Sequence, residues 1–205
     1  MGKLEANKQQ KLTSLLNTAF NLFTTQGVAK TSIAEISQKA GIAKGTFYLY
    51  FKDKYDIRNR LISHESSKLF KNAVADLEEF SIEKEEPLGF EEKIIFIINH
   101  IVDELNSNQT LLTFISKNLS WGIFKEALTT KVASDDINFK DVYYEMINAE
   151  DISLEEPEIM LFLIVELVSS TCYSAILYKE PADIDTIKPY LFKTVRAIIR
   201  EHTIQ

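Results

Sequence analysis

Residues 31–51 read TSIAEISQKAGIAKGTFYLYF, and the punctuation of this stretch decides the fold. Ser32 followed three residues later by Glu35 has the form of a capping box, in which hydroxyl and carboxylate satisfy free amides at a helix start. The helix it opens carries Ile33, Ile36 and Ala40, and Gly41 breaks it. A second helix runs from about Lys44 to Phe51, because Lys52-Asp53-Lys54 reads as a turn with Asp53 as the next N-cap. Phe47 and Phe51, four apart, face inward as core. Tyr48 and Tyr50 have lysines on both sides and face outward.

Upstream, Leu12, Leu15, Leu16, Ala19, Phe20 and Phe23 follow the spacing of one helix face from Lys8 to Gln26, and Gly27 supplies a stop. Downstream, apolar residues from Leu61 to Phe80 keep a helical phase to about residue 80, and SIEKEEP at 81–87 reads as a linker. Phe90, Ile94, Ile97, Ile98, Ile101 and Leu105 continue a helical stripe. One or more helices are expected in 107–152 around Trp121 and Tyr143. Pro157 opens another helix reaching about Tyr178, KEPADID closes it, and a last amphipathic helix follows. The fold class is all-α: an N-terminal three-helix head, residues 1–55, and a larger helical domain, 56–205.

Charge separates the same two parts. Residues 1–60 hold ten Lys/Arg against four Asp/Glu, and the rest of the chain holds 13 against 26. A net charge of −7 therefore conceals a basic, anion-seeking head on an acidic body. Three helices with a tight turn between the second and third make a helix-turn-helix unit, whose second paired helix enters the major groove of duplex DNA. In that geometry Lys44 can donate to a guanine edge or a phosphate, and the Thr46 methyl suits a thymine methyl. Gly45 allows close backbone approach to phosphate, Tyr48 and Tyr50 offer hydroxyls to phosphate oxygens, and Lys54 can clamp the DNA backbone.

The stretch TSIAEISQKAGIAKGTFYLYFKDK also resembles the N-terminal motif of TetR-family transcriptional regulators, nearly position for position. The likeness covers about residues 8–57 and rests on the Thr-Ser start, the Ala-Gly turn, Gly-Thr-Phe-Tyr, the Tyr-Phe end and the lysine that follows. It implies DNA contacts from Thr31, Ser32, Lys44, Gly45, Thr46, Tyr48, Tyr50 and Lys54. Ala43 departs from the pattern, since the family often has a capping Ser or Thr there; its loss costs ~1 kcal/mol of local helix stability.

One head reads one half-site, so a second copy is expected on the duplex. The helices at 157–178 and 186–202 offer a self-association surface through Leu161, Val165, Val168, Cys172, Leu191, Val195 and Ile198, or else these stripes are intramolecular core. The middle helices would enclose an effector cavity, with Phe96, His100, Phe114, Trp121, Phe124, Tyr143, Phe162 and Tyr173 as candidate lining, each of which plain core would also explain. His100 and Glu104, one turn apart, could hold a cation or form a hydrogen-bonded couple; no third metal ligand is evident.

Other classes fit less well. The twenty residues 159–178 have the length of a membrane span, but Glu166 would lie near mid-bilayer and the N-terminal flank is acidic, so no membrane insertion is expected. The polar start MGKLEANKQQK has no leader-like apolar run, and the lone Cys172 fits a reducing, cytoplasmic setting. The three histidines are scattered, no phosphate-cradling glycine loop or nucleophile motif is present, and neither catalysis nor a cofactor is expected. The expectation is a homodimeric repressor that leaves a palindromic operator when a small apolar or amphipathic effector binds. The alternative is a regulator whose body docks a protein partner.

Overall fold

The computed structural model describes residues 3–83, 88–118 and 139–204. Among them are nine helices: α1 (Lys3–Thr25), α2 (Ile33–Lys39), α3 (Lys44–Phe47), α4 (Lys54–Glu83), α5 (Phe90–Ser107), α6 (Gln109–Asn118), α7 (Phe139–Ala149), α8 (Pro157–Leu177) and α9 (Ile184–His202). The described residues contain no strand beyond one isolated antiparallel bridge, Leu154 with Thr203. The fold is all-α. Trp121 and Phe124 lie outside the described residues.

Two compact units make up the chain, with residues 3–67 in the first and 68–117 with 139–204 in the second. The division falls inside α4, after Ser67. SIE at 81–83 belongs to α4 instead of a linker, with the Ser81 hydroxyl donating back to the Leu77 carbonyl at 2.7 Å. Such back-bonding lets a serine sit inside a helix without breaking it.

The first unit is built on a small apolar centre. Leu15, Leu16 and Ala19 of α1, Ile36 of α2, Phe47 of α3, Phe51, and Ile57, Leu61 and Ile62 of α4 are all buried. Gly27 and Gly41 end α1 and α2 with φ of 86° and 68°, left-handed angles that glycine adopts without a Cβ penalty.

In the second unit α8 packs along α9, and both contact α5. α8 is apolar on most sides, and Met160, Leu161, Ile164, Cys172, Ala175 and Ile176 are buried. α9 is strongly amphipathic, and Leu191, Val195 and Ile199 face inward. This corrects part of the expected self-association surface. Leu161, Cys172, Leu191 and Val195 are core of a single chain, and Val165, Val168 and Ile198 are half-buried. The helical stripe located an apolar side, and that side faces the chain's own helices. A charged clamp closes the rim: Arg196 donates to Glu91 at 2.7 Å and Glu92 at 2.6 Å, and Arg200 donates to Glu91 at 2.9 and 3.0 Å.

Candidate nucleic-acid interface

α2 begins as the sequence indicates. Ser32 is its N-cap, with Oγ accepting from the Glu35 amide at 3.1 Å. The reciprocal half of the capping box is missing, because the Glu35 carboxylate turns away. It accepts from the Gln26 side-chain amide at 2.8 Å and pairs with Lys39 at 3.2 Å. These contacts, Gln26 foremost, hold its carboxyl below the usual range.

Thr31 is buried at 2% exposure, and its hydroxyl donates to the Gly27 carbonyl at 2.9 Å. Gln26 reaches the same hydroxyl at 3.3 Å. Lys54 completes this knot, with Nζ donating to the carbonyls of Val28 at 3.0 Å, Ala29 at 3.0 Å and Thr31 at 3.2 Å. Thr31 and Lys54 thus tie the α1–α2 turn to the start of α4, a role that their spacing in sequence does not reveal. Asp53 caps α4 as expected, accepting from the Tyr55 amide at 2.7 Å and the Asp56 amide at 2.9 Å.

The recognition element is shorter than its apolar pattern suggests. α3 is four residues long, Ala43 precedes it without a side-chain cap, and residues 48–50 are turn. The Leu49 and Tyr50 amides bond three residues back, to Thr46 at 3.1 Å and Phe47 at 2.9 Å, so the helix tightens toward 3₁₀ geometry. Both anchors are as expected: Phe47 and Phe51 are buried at 0% and 1% exposure, with ring centroids 5.5 Å apart. Tyr48 is 51% exposed, with its ring edge-on to Phe47. Tyr50 is half-buried, and its hydroxyl makes a long 3.4 Å contact to the Lys8 carbonyl.

Lys44 and Gly45 are exposed and Thr46 is half-buried. Gly45 differs from the turn glycines. A Cβ there would meet nothing within 4 Å, and its φ lies outside the left-handed range. The chain's own packing gives no reason for glycine at a helical position where it costs roughly 1 kcal/mol relative to alanine. Exposed Lys44, Gly45, Tyr48 and Leu49 therefore lie on one short peg fixed from behind by two phenylalanines.

Of the expected effector lining, Phe96 and His100 come together among the described residues. Phe96 and His100 border an open cleft of about 560 Å³ with Asn72, Asp76, Asn99, Asp103, Glu104 and Ser107, and the Phe96 ring packs 5.1 Å from Phe80. Acidic side chains rim this cleft, with apolar surface between them. His100 spans it, with Nδ1 3.0 Å from Asp76 and Nε2 3.4 Å from Glu104, and Lys188 pairs with Asp103. Both ring nitrogens thus have carboxylate partners, and among the described residues no group of three or more His, Cys, Asp or Glu is placed to hold a metal ion.

Tyr143 and Phe114 are buried away from this cleft's lining. The Tyr143 hydroxyl donates to the Pro157 carbonyl at 3.0 Å, and burial pushes its pKa up. Phe162 is half-buried on α8, and the Tyr173 hydroxyl is 3.1 Å from that of Tyr178.

This arrangement of α2, turn and α3 on a buried three-helix support defines a helix-turn-helix protein. Residues 15–61 match the family model described as bacterial regulatory proteins, tetR family. Residues 15–61 thus form a TetR-family N-terminal domain. It is 40% identical over 55 residues to the HTH-type transcriptional regulator AcrR of Shigella flexneri, a match spanning 27% of this chain and 26% of that protein. It is 30% identical over 78 residues to the fatty acid metabolism regulator protein of Bacillus subtilis (strain 168), spanning 38% of this chain and 40% of that one. These matches thus cover less than half of either relative, and both relatives are named as regulators rather than enzymes. In fold the likeness extends further. The crystal structure of the transcriptional regulator FadR from Bacillus subtilis in complex with stearoyl-CoA superposes with a TM-score of 0.56 at 17% identity, covering 91% of this chain and 98% of that one.

Proposed function

We propose that this protein is a homodimeric, ligand-responsive transcriptional repressor that binds a palindromic operator in the cytoplasm. The observation that carries the reading is Gly45. It is a helical glycine that no φ angle or neighbouring atom demands, set beside exposed Lys44 and Tyr48 on the anchored peg. Close approach of a phosphate accounts for it, because only a missing side chain lets a backbone come so near. Direct contacts fall to Ser32, Lys44, Gly45, Thr46, Tyr48 and Tyr50, while Thr31 and Lys54 hold the turn behind them.

Dimerisation has support in the outward faces of the last two helices. On α8, Ile159, Leu163, Glu166 and Ser170 are exposed; on α9, Tyr190, Thr194, Ala197 and Glu201 are exposed. Both sets repeat at i, i+4, i+7 and i+11, the spacing with which helices meet in a bundle. Two copies apposed through these faces would make an isologous four-helix interface. The exposed Ile159 and Leu163 on this face contribute to the membrane-span character of α8, whose apolar window is 39% buried.

The effector is a small amphipathic molecule, as the likeness to the stearoyl-CoA complex of FadR suggests. An acidic cleft would disfavour phosphates beside Asp76, Asp103 and Glu104, so a ligand seated there has a neutral or cationic head. The acidic rim equally suits a docked protein partner, and a thermal-shift screen of small amphiphiles without a hit would favour that reading.

The test is fluorescence anisotropy on DNA flanking the protein's own gene, with nonspecific competitor, at low and near-physiological salt. One fragment bound in preference to competitor, with affinity falling steeply as salt rises, is the expected result. No preference for any genomic fragment would refute the reading.

A further inference from the structure

Leu49 is 82% exposed, while the residues that fix its position, Phe47 and Phe51, are buried. Its amide bonds the Thr46 carbonyl at 3.1 Å and the Phe51 amide bonds the Phe47 carbonyl at 3.0 Å, so this is a defined turn. A lone exposed leucine is ordinary on a protein surface. This one shares a rigid peg with Lys44, Gly45 and Tyr48, where every neighbour is equipped to meet DNA. A leucine has no donor or acceptor, so the base-edge feature it can recognise in the major groove is the 5-methyl group of thymine. Thr46 carries a methyl too, but is half-buried.

We propose that Leu49 is a specificity-determining residue that reads the 5-methyl group of one thymine in each half-site. The proposal rests on the DNA-binding reading above. It states what kind of base the peg selects: an A·T pair recognised by shape and apolar contact, next to whatever Lys44 reads by hydrogen bonding.

The experiment takes the full chain and selects its operator from random duplexes. Each thymine of the selected site is then replaced by deoxyuridine, which removes the methyl and leaves base pairing unchanged. Wild-type protein should lose about three- to fivefold in affinity at one thymine per half-site, the effect of one methyl left in water at ~0.8 kcal/mol. Leu49→Ala should bind the unmodified site with about that weaker affinity and show no further loss on the uracil site. Because Leu49 is exposed, this variant keeps the wild-type thermal midpoint.

No thymine sensitivity in the wild type would overturn the proposal. So would a uracil penalty that survives in Leu49→Ala but vanishes in Thr46→Ser, which would transfer the role to Thr46. A selection that enriches no sequence would overturn the DNA-binding reading, and this proposal with it.

Discussion

The ammonium of Lys54 lies 3.2 Å from the carbonyl of Thr31, and the two residues hold the α1–α2 turn against the first turn of α4. Three carbonyls converge on that one cation. Lys54→Met should lower stability by ~1–2 kcal/mol, the scale of hydrogen bonds to a charged group at a partly exposed site. Urea titration measures this. If Lys54 acts only through the turn, the salt dependence of DNA binding keeps its slope; a direct phosphate contact would reduce it by about 0.9.

Gly45→Ala separates the needs of the fold from those of the ligand. A Cβ meets nothing within 4 Å, so the variant should gain up to ~1 kcal/mol in stability. Its DNA affinity should fall at least tenfold. A variant that is more stable and binds DNA as well as wild type would remove the main support for the peg as a DNA surface.

Leu163, exposed on α8 at 42%, reports on self-association. Leu163→Asp places a charge in the proposed dimer face and should weaken the dimer by at least ~2 kcal/mol, about thirtyfold in Kd. Sedimentation velocity across a concentration series reads the shift. The corresponding change at Cys172, buried at 0% exposure, should instead disrupt the chain itself.

Acid should loosen the α5–α9 clamp. Arg200, then Arg196, hold the Glu91 carboxyl below its ordinary value of 4.5 against the opposing effect of desolvation. A group with a depressed folded pKa contributes stability that is present above 4.5 and is lost as pH falls through the folded value. The thermal midpoint should therefore drop more steeply below pH 4.5 in wild type than in Glu91→Gln.

Cys172 has its thiol pushed up to about 12 by burial. The thiolate is the reactive form, so native protein should resist alkylation at pH 8 for as long as it stays folded. One equivalent of label per chain should appear in denaturant. Rapid labelling of native protein would contradict the burial.

Much of the head was legible because caps and glycines are local signals. Ser32, Gly41 and Asp53 each act within three or four residues of themselves, and each does what its position suggests. The end of α3 was not legible, since Phe47 and Phe51 keep a four-residue spacing in a 3₁₀-like turn as well as in an α-helix. The inward contacts of Lys54 and Thr31 are not legible, because nothing in sequence reveals that the carbonyls of Val28 and Ala29 lie beside one and that of Gly27 beside the other. The body shows the same limit. Periodicity found the apolar side of α9 but could not tell a partner subunit from α8 and α5. The acidic rim beside Phe96 and His100 is not legible in full, because Asp76 comes from another helix.

The shortness of the peg has a consequence for how such a protein can change. Its two anchoring rings are buried, while the side positions 44, 45, 48 and 49 are exposed and only the Tyr48 ring leans on the interior, edge-on to Phe47. Supporting scaffold and lettering are thus separable. New operator preferences could arise through exchanges at those positions alone, and a set of such exchanges on this one frame should stay folded while its members part company over which sequences they bind.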